Sequence, residues 1–187
     1  MRSRSEIPFE TRKLSLHEGS MRRLATLREN TEATSDSEVV RQALLYYEQL
    51  VDDVAQGNEV FIRQPDDDGA HRDIAITVHS AEDVTGDEIA SVSSEGDLVK
   101  RNLVLPQAAA RRLDDLRLHS GARSDSQVIR EAIIVYDKLV SNAMNGKFVV
   151  VRDAGGREHY KSMPIPKTKR PNQLLRRLQR ALDSVPS

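Results

Sequence analysis

Residues 11–16 (Thr, Arg, Lys, Leu, Ser, Leu) alternate polar and apolar, the period of two that marks a short strand with one buried face. Over residues 18–31 the period changes, and Met21, Leu24 and Leu27 fall on one side of a helix. Ser35 and Glu38 follow as a capping box, which satisfies amide donors left open at a helix start. The helix they open carries Val39, Val40, Ala43, Leu44, Tyr47, Leu50, Val51 and Val54, a wide apolar stripe. The same order then returns. With the chain shifted by 89 positions, Leu103 on Leu14, residues 12–63 align without a gap on residues 101–152. About 21 of these roughly 52 positions are identical, which marks an internal repeat. A unit so small cannot bury its own core, so the second copy reads as a built-in partner.

The second copy repeats the details. Residues 100–105 form its strand, with Pro106 expected as the first helical residue, where proline is tolerated. Leu113 and Leu116 mark the first helix, Gly121 the turn, and Ser124 with Gln127 a second capping box. Val128, Ile129, Ala132, Ile133, Tyr136, Leu139 and Val140 form the second stripe. Each copy ends at a matching glycine, Gly57 or Gly146, followed by a β-rich run, a turn and a return segment. These predict a small hairpin appended to each unit.

Charge is unevenly placed. The net charge is −1, but residues 66–97 hold ten acidic side chains against one arginine, Arg72, and residues 161–180 hold seven basic ones and no acidic one. Phosphate is felt only within a Debye length of ~8–10 Å, so a neutral total does not exclude a basic DNA-facing surface. Residues 80–96, acidic and poor in large apolar side chains, predict a flexible linker. The tail ends in a potential basic amphipathic helix, with Leu174, Leu175, Leu178 and Leu182 against Arg176, Arg177 and Arg180. The organisation expected is a basic arm and first unit (1–64), a hairpin return and acidic linker (65–98), a second unit with its hairpin (99–163) and a basic tail (164–187).

The chain has no cysteine, which removes disulfides and thiolate chemistry and suits a reducing cytoplasm, in a bacterial cytoplasm or nucleoid. No apolar run reaches the length of a membrane span, and no secretory signal or membrane partner is expected. The histidines at 17, 71, 79, 119 and 159 lack metal-ligand spacing, and there is no nucleophile motif or phosphate-binding glycine loop. Asp66-Asp67-Asp68-Gly69 lacks the distal glutamate of a calcium loop. An enzyme is not expected, nor a cofactor or metal.

Strand, helix, turn and capped helix within about forty residues resemble the ribbon-helix-helix (Arc/MetJ-type) DNA-binding family, whose ribbon enters the major groove. The segments SDSEVVRQALLYY and SDSQVIREAIIVY resemble its second helix, and the LSL and LVLP segments its strand and strand-to-helix junction. The resemblance covers both copies. It implies a mainly α fold with short β: two units pair, within the chain, into a pseudo-dimer with a two-stranded antiparallel ribbon over four helices. Pairing between chains, giving two ribbons, is the alternative.

If Leu14, Leu16, Leu103 and Leu105 face the helices, alternation turns Thr11, Lys13, Ser15, Lys100, Asn102 and Val104 outward toward bases. Lysine suits guanine acceptors, asparagine suits adenine, and valine suits a thymine methyl. The helix starts offer Thr34, Ser35 and Ser37, with Arg123, Ser124 and Ser126, as a phosphate clamp. Arg2 and Arg4 of the arm and Lys167, Lys169 and Arg170 of the tail are further DNA contacts. Arg12 and Arg101 are edge or structural residues with a minor prospect of reaching phosphate, and Arg41 and Arg130 are structural. His17 in place of Pro106, and Glu32 in place of Gly121, predict a less sharply defined turn in copy one.

The function implied is sequence-specific binding of double-stranded DNA, as a transcriptional regulator acting as a repressor, with an asymmetric core site and further self-association on DNA. Fused tandem copies of this kind occur in relaxosome accessory proteins of conjugative elements, which makes a DNA-transfer role on a plasmid or mobile element an alternative. An antitoxin or protein-interaction module, binding a protein partner through the basic tail, is another.

Overall fold

The inward leucines and outward polar residues of the two strand patterns can be satisfied together only if the strands pair over a shared core. In the computed structural model, which describes residues 8–65, 70–76, 78, 97–162 and 164, they do so within one chain. Strand β1 (Phe9–His17) runs antiparallel to β4 (Leu98–Pro106), with Lys13 opposite Asn102 at the centre. Leu14, Leu16, Leu103 and Leu105 are buried beneath the pair. Both strands are longer than the alternation suggested, by two residues before each segment and one after.

Helices α1 (Glu18–Asn30) and α2 (Asp36–Ala55) follow β1, and α3 (Gln107–His119) and α4 (Asp125–Met144) follow β4. The Ser35 and Ser124 hydroxyls accept hydrogen bonds from the Glu38 and Gln127 amides at 3.3 and 3.2 Å, so both capping boxes form. Pro106 is the N-cap of α3 rather than its first helical residue, because it still belongs to the strand. The turn of copy two uses Gly121 at φ +64°. Copy one uses a different device. The Thr31 hydroxyl donates to the Leu27 carbonyl at 2.8 Å and lies 3.4 Å from the Ala33 amide, so the turn is tied by a side chain where glycine is missing.

The helices α2 and α4 pack against each other at the middle of the fold. Their apolar stripes interlock around Tyr47 and Tyr136, equivalent residues of the two copies and both almost fully buried. Each phenol reaches across the repeat: the Tyr47 hydroxyl donates to Glu131 at 2.8 Å, and that of Tyr136 to Gln42. A buried hydroxyl without a partner would be costly, and here each finds one on the opposite copy.

Gly57 and Gly146, at φ +78° and +69°, turn the chain out of α2 and α4 into β2 (Glu59–Pro65) and β5 (Phe148–Arg152). The hairpins predicted as separate appendages are joined. With β3 (His71–Ala75) and β6 (Glu158–Lys161) they form one four-stranded antiparallel sheet, ordered β3-β2-β5-β6. Its central pair, β2 with β5, joins the two copies. Val60, Ile62, Val149 and Val151 of this pair belong to the same core cluster as the four helices. The boundary expected at 64 falls within β2 and that at 98 within β4, and β3, between them, lies in the shared sheet. Among the described residues the fold comprises four helices and two small antiparallel sheets, with copy meeting copy at both sheets and between α2 and α4.

Candidate nucleic-acid interface

Antiparallel partners point to the same side of a sheet, so the register of β1 and β4 decides which side chains share a face. The outward face carries the pairs Phe9/Pro106, Thr11/Val104, Lys13/Asn102, Ser15/Lys100 and His17/Leu98. All six residues expected to read bases, Thr11, Lys13, Ser15, Lys100, Asn102 and Val104, are therefore brought together. Five are exposed and Ser15 is half-buried. At ~3.3 Å per residue the Thr11/Val104 and Ser15/Lys100 pairs lie ~13 Å apart, close to four base-pair steps of 3.4 Å.

The face contains two lysines and no acidic residue. Three large apolar side chains also lie open on it: Phe9 at 64 %, Leu98 at 59 % and Val104 at 48 % exposure. Phe9 and Leu98 are repeat equivalents at opposite ends of the strand pair, and the alternation missed them. Their signal was the continuation of the period by one more residue on the same phase as Lys13 and Lys100.

The arginines beside this face have unequal fates. Arg12 bridges the copies: its guanidinium lies 2.8 Å from Asp114 of α3 and 3.3 Å from Asp125 of α4, with Glu10 of its own strand at 2.9 Å. The Asp114 hydrogen bond, followed by attraction to the neighbouring carboxylates, pushes its pKa up against the effect of burial. Arg12 is thus tied down within the fold. Its equivalent, Arg101, is exposed. The Arg130 Nε is buried without a hydrogen-bond partner, while Arg41 adds a favourable field to Glu38.

The two helix starts also differ. In copy one the Glu38 carboxylate accepts from the Thr34 amide at 2.7 Å and the Thr34 hydroxyl at 2.8 Å, and these bonds hold its pKa below the usual range. The Thr34 amide and hydroxyl are therefore both committed to a carboxylate of the same helix start. In copy two neutral Gln127 takes that place, accepting from the Arg123 amide at 3.0 Å, and the Arg123 side chain is exposed. Ser126 is committed elsewhere. Its hydroxyl accepts the Ser15 amide at 3.0 Å and ties α4 to β1. Of the expected clamp, Ser35 and Ser124 act as caps, Ser37 is half-buried, and Arg123 offers the exposed cation. Arg2, Arg4, Lys167, Lys169, Arg170, the linker at 80–96 and the leucine-arginine tail lie outside the described residues.

Among the described residues, no group of His, Asp or Glu is placed to hold a metal ion, and no helix is long and apolar enough to cross a membrane. Compared with protein-family models, curated proteins and solved structures, the chain matches none.

Proposed function

We propose that this chain is a sequence-specific double-stranded DNA-binding protein of the ribbon-helix-helix kind, a transcriptional regulator that inserts the β1–β4 pair into the major groove. The observation that carries this reading is the outward face itself, acid-free, with Lys13 opposite Asn102 and Lys100 one pair away. A two-stranded ribbon fits the width of the groove, and these side chains match the acceptors and donors displayed there. The two copies supply one strand each, so the chain acts as a pseudo-dimer that needs no second molecule to complete a ribbon. Arg123 at the start of α4 adds a phosphate contact that positions the ribbon without selecting sequence.

The reading is tested by selecting bound duplexes from a random pool with the full chain, then repeating the selection with Lys13→Ala and Asn102→Ala. Each substitution is expected to relax preference at one or two base pairs. Affinity for the selected duplex should fall with salt at a slope of about −0.9 per phosphate contact. Enrichment of no sequence, or a preference untouched by both substitutions, sinks the proposal.

A further inference from the structure

The outward face of the strand pair has unlike ends. The repeat relates Phe9 to Leu98, Thr11 to Lys100, Lys13 to Asn102, Ser15 to Val104 and His17 to Pro106, so the approximate dyad passes through the central Lys13/Asn102 pair. On one side of it lie Thr11/Val104 and Phe9/Pro106, with no charge and two widely exposed apolar side chains. On the other lie Ser15/Lys100 and His17/Leu98. There Lys100 is a diagonal neighbour of Lys13, within about 8 Å on the same face. Like charges placed so close repel in the free protein, and that repulsion is relieved when an electronegative surface covers both. Phe9 and Leu98 close both ends with apolar surface, so they frame the face. Thr11 against Lys100, and Val104 against Ser15, make its ends differ.

We infer that these unlike ends impose a fixed polarity on the bound DNA: A·T pairs with their thymine methyls under Val104 and Phe9, and guanine under Lys13 and Lys100. This rests on the DNA-binding reading proposed above and specifies its ligand. The thymine 5-methyl is the one apolar group a base pair displays in the major groove, and an uncharged end with Val104 half-exposed is complementary to it. Guanine N7 and O6 are paired acceptors, complementary to two ammonium groups. Asn102, opposite Lys13, stands at the junction, where it suits adenine N6 and N7. The core site is therefore about five base pairs, methyl-rich at one end and guanine-rich at the other, and is not a palindrome.

Two measurements test the polarity with the full chain. The first replaces thymine by deoxyuridine, which deletes only the methyl, at each position of the duplex selected from a random pool. At the A·T end each deletion should weaken wild-type binding about three- to fivefold, the worth of one buried methyl group. In Val104→Ser the deletion nearest that residue should have no further effect, as a double-mutant cycle requires for direct contact. The second measurement makes the ends alike, with Thr11→Lys and Val104→Ser together. Both positions are exposed, so the fold is kept, and the selected site should change from asymmetric to nearly palindromic with guanine at both ends.

A selected site whose affinity ignores every methyl deletion, or whose asymmetry survives the paired substitution, overturns the polarity and leaves DNA binding intact. Failure of wild-type protein to enrich any sequence overturns the DNA-binding reading and the polarity with it.

Discussion

Arg12 and Arg101 are the same residue at equivalent positions of the repeat, which makes them an internal control for what joins the copies. Arg12→Met removes the guanidinium and keeps most of its apolar length. The substitution breaks the ion pairs to Asp114 at 2.8 Å and Asp125 at 3.3 Å, both on the other copy, and to Glu10 at 2.9 Å. Asp125 keeps Arg117 at 3.5 Å, and Asp114 is exposed enough to be hydrated by solvent, so neither carboxylate is stranded. A charge-assisted hydrogen bond contributes ~1.5–3 kcal/mol when shielded, and an exposed ion pair ~0–1. With the Arg12 side chain 19 % exposed, the net loss falls between these limits, about 1–2 kcal/mol. For a fold of this size that lowers the thermal midpoint by roughly 3–8 °C. The matching change, Arg101→Met, removes an exposed cation and should leave the midpoint where it was. Thermal unfolding followed by the helical circular dichroism signal reads both. Repeating it at about 1 M salt, where the Debye length is ~3 Å, should narrow the gap between the variants. Equal midpoints for the two variants at low salt would refute the assignment of Arg12 as a bridge between copies.

Three further outcomes are expected. Tyr47→Phe leaves one Glu131 carboxylate oxygen buried without its donor and should destabilise by about 1–3 kcal/mol in urea titration; a loss no larger than that of an exposed substitution would contradict the bond. Gly121→Ala forces a side chain into φ +64° at the end of α3 and should cost about 1 kcal/mol, whereas Glu32→Gly in copy one should gain little because Thr31 already ties that turn. Finally, Arg63 and then Arg152 hold the Glu158 carboxyl down to about 2 from 4.5. A depressed acid adds stability that is complete above its unfolded value and is lost as pH falls through its folded one. Stability should thus decline between about pH 4.5 and 2, and Glu158→Gln should flatten that decline and lower stability at neutral pH, where the ion pairs it removes are fully formed; parallel pH profiles for the two proteins would rule this out.

The strands, the four helices and both capping boxes were legible because each rests on local periodicity or a short-range hydrogen bond. The outward set of base-facing candidates followed from the same alternation. Phe9 and Leu98 were not read as part of it, because they are apolar residues on the polar phase, and a pattern that sends apolar residues inward ends the strand before reaching them. The joining of the hairpins was harder to see, since pairing between β2 and β5 is remote in sequence. A trace of it was present. Val60-Phe61-Ile62 and Val149-Val150-Val151 are unbroken apolar runs, and all six residues are buried, as in strands covered on both faces. On the outer face, Phe61 lies under the Arg63 and Arg152 guanidinium groups, 5.3 and 4.6 Å from its ring centre. The surroundings of the clamp residues were not legible for a different reason. A capping motif says which amides are satisfied, but not that Glu38 fills the space beside Thr34 or that Ser126 bonds the strand.

The interactions between copies divide into those the repeat shares and those it does not. Arg23 with Asp137 and Arg112 with Glu48 are equivalent pairs, and so are the two tyrosines that reach across the middle. Pairs of this kind would form as well if each copy paired with its like in a second chain, so they hold copies together without choosing between them. Arg12 does choose. Its partner Asp114 has Ala25 as its equivalent, so copy one paired with copy one would lose that carboxylate. Glu131 against Gln42 is a second unshared position, with a carboxylate accepting one phenol and an amide the other. Unlike pairing matters beyond stability, because the outward face has unlike ends only when β1 lies against β4. Two copies of β1 would present a symmetric face, and so would two copies of β4. The Arg12 bridge, formed here between unlike copies, therefore lies beneath an outward face whose asymmetry comes from the pairing of β1 with β4.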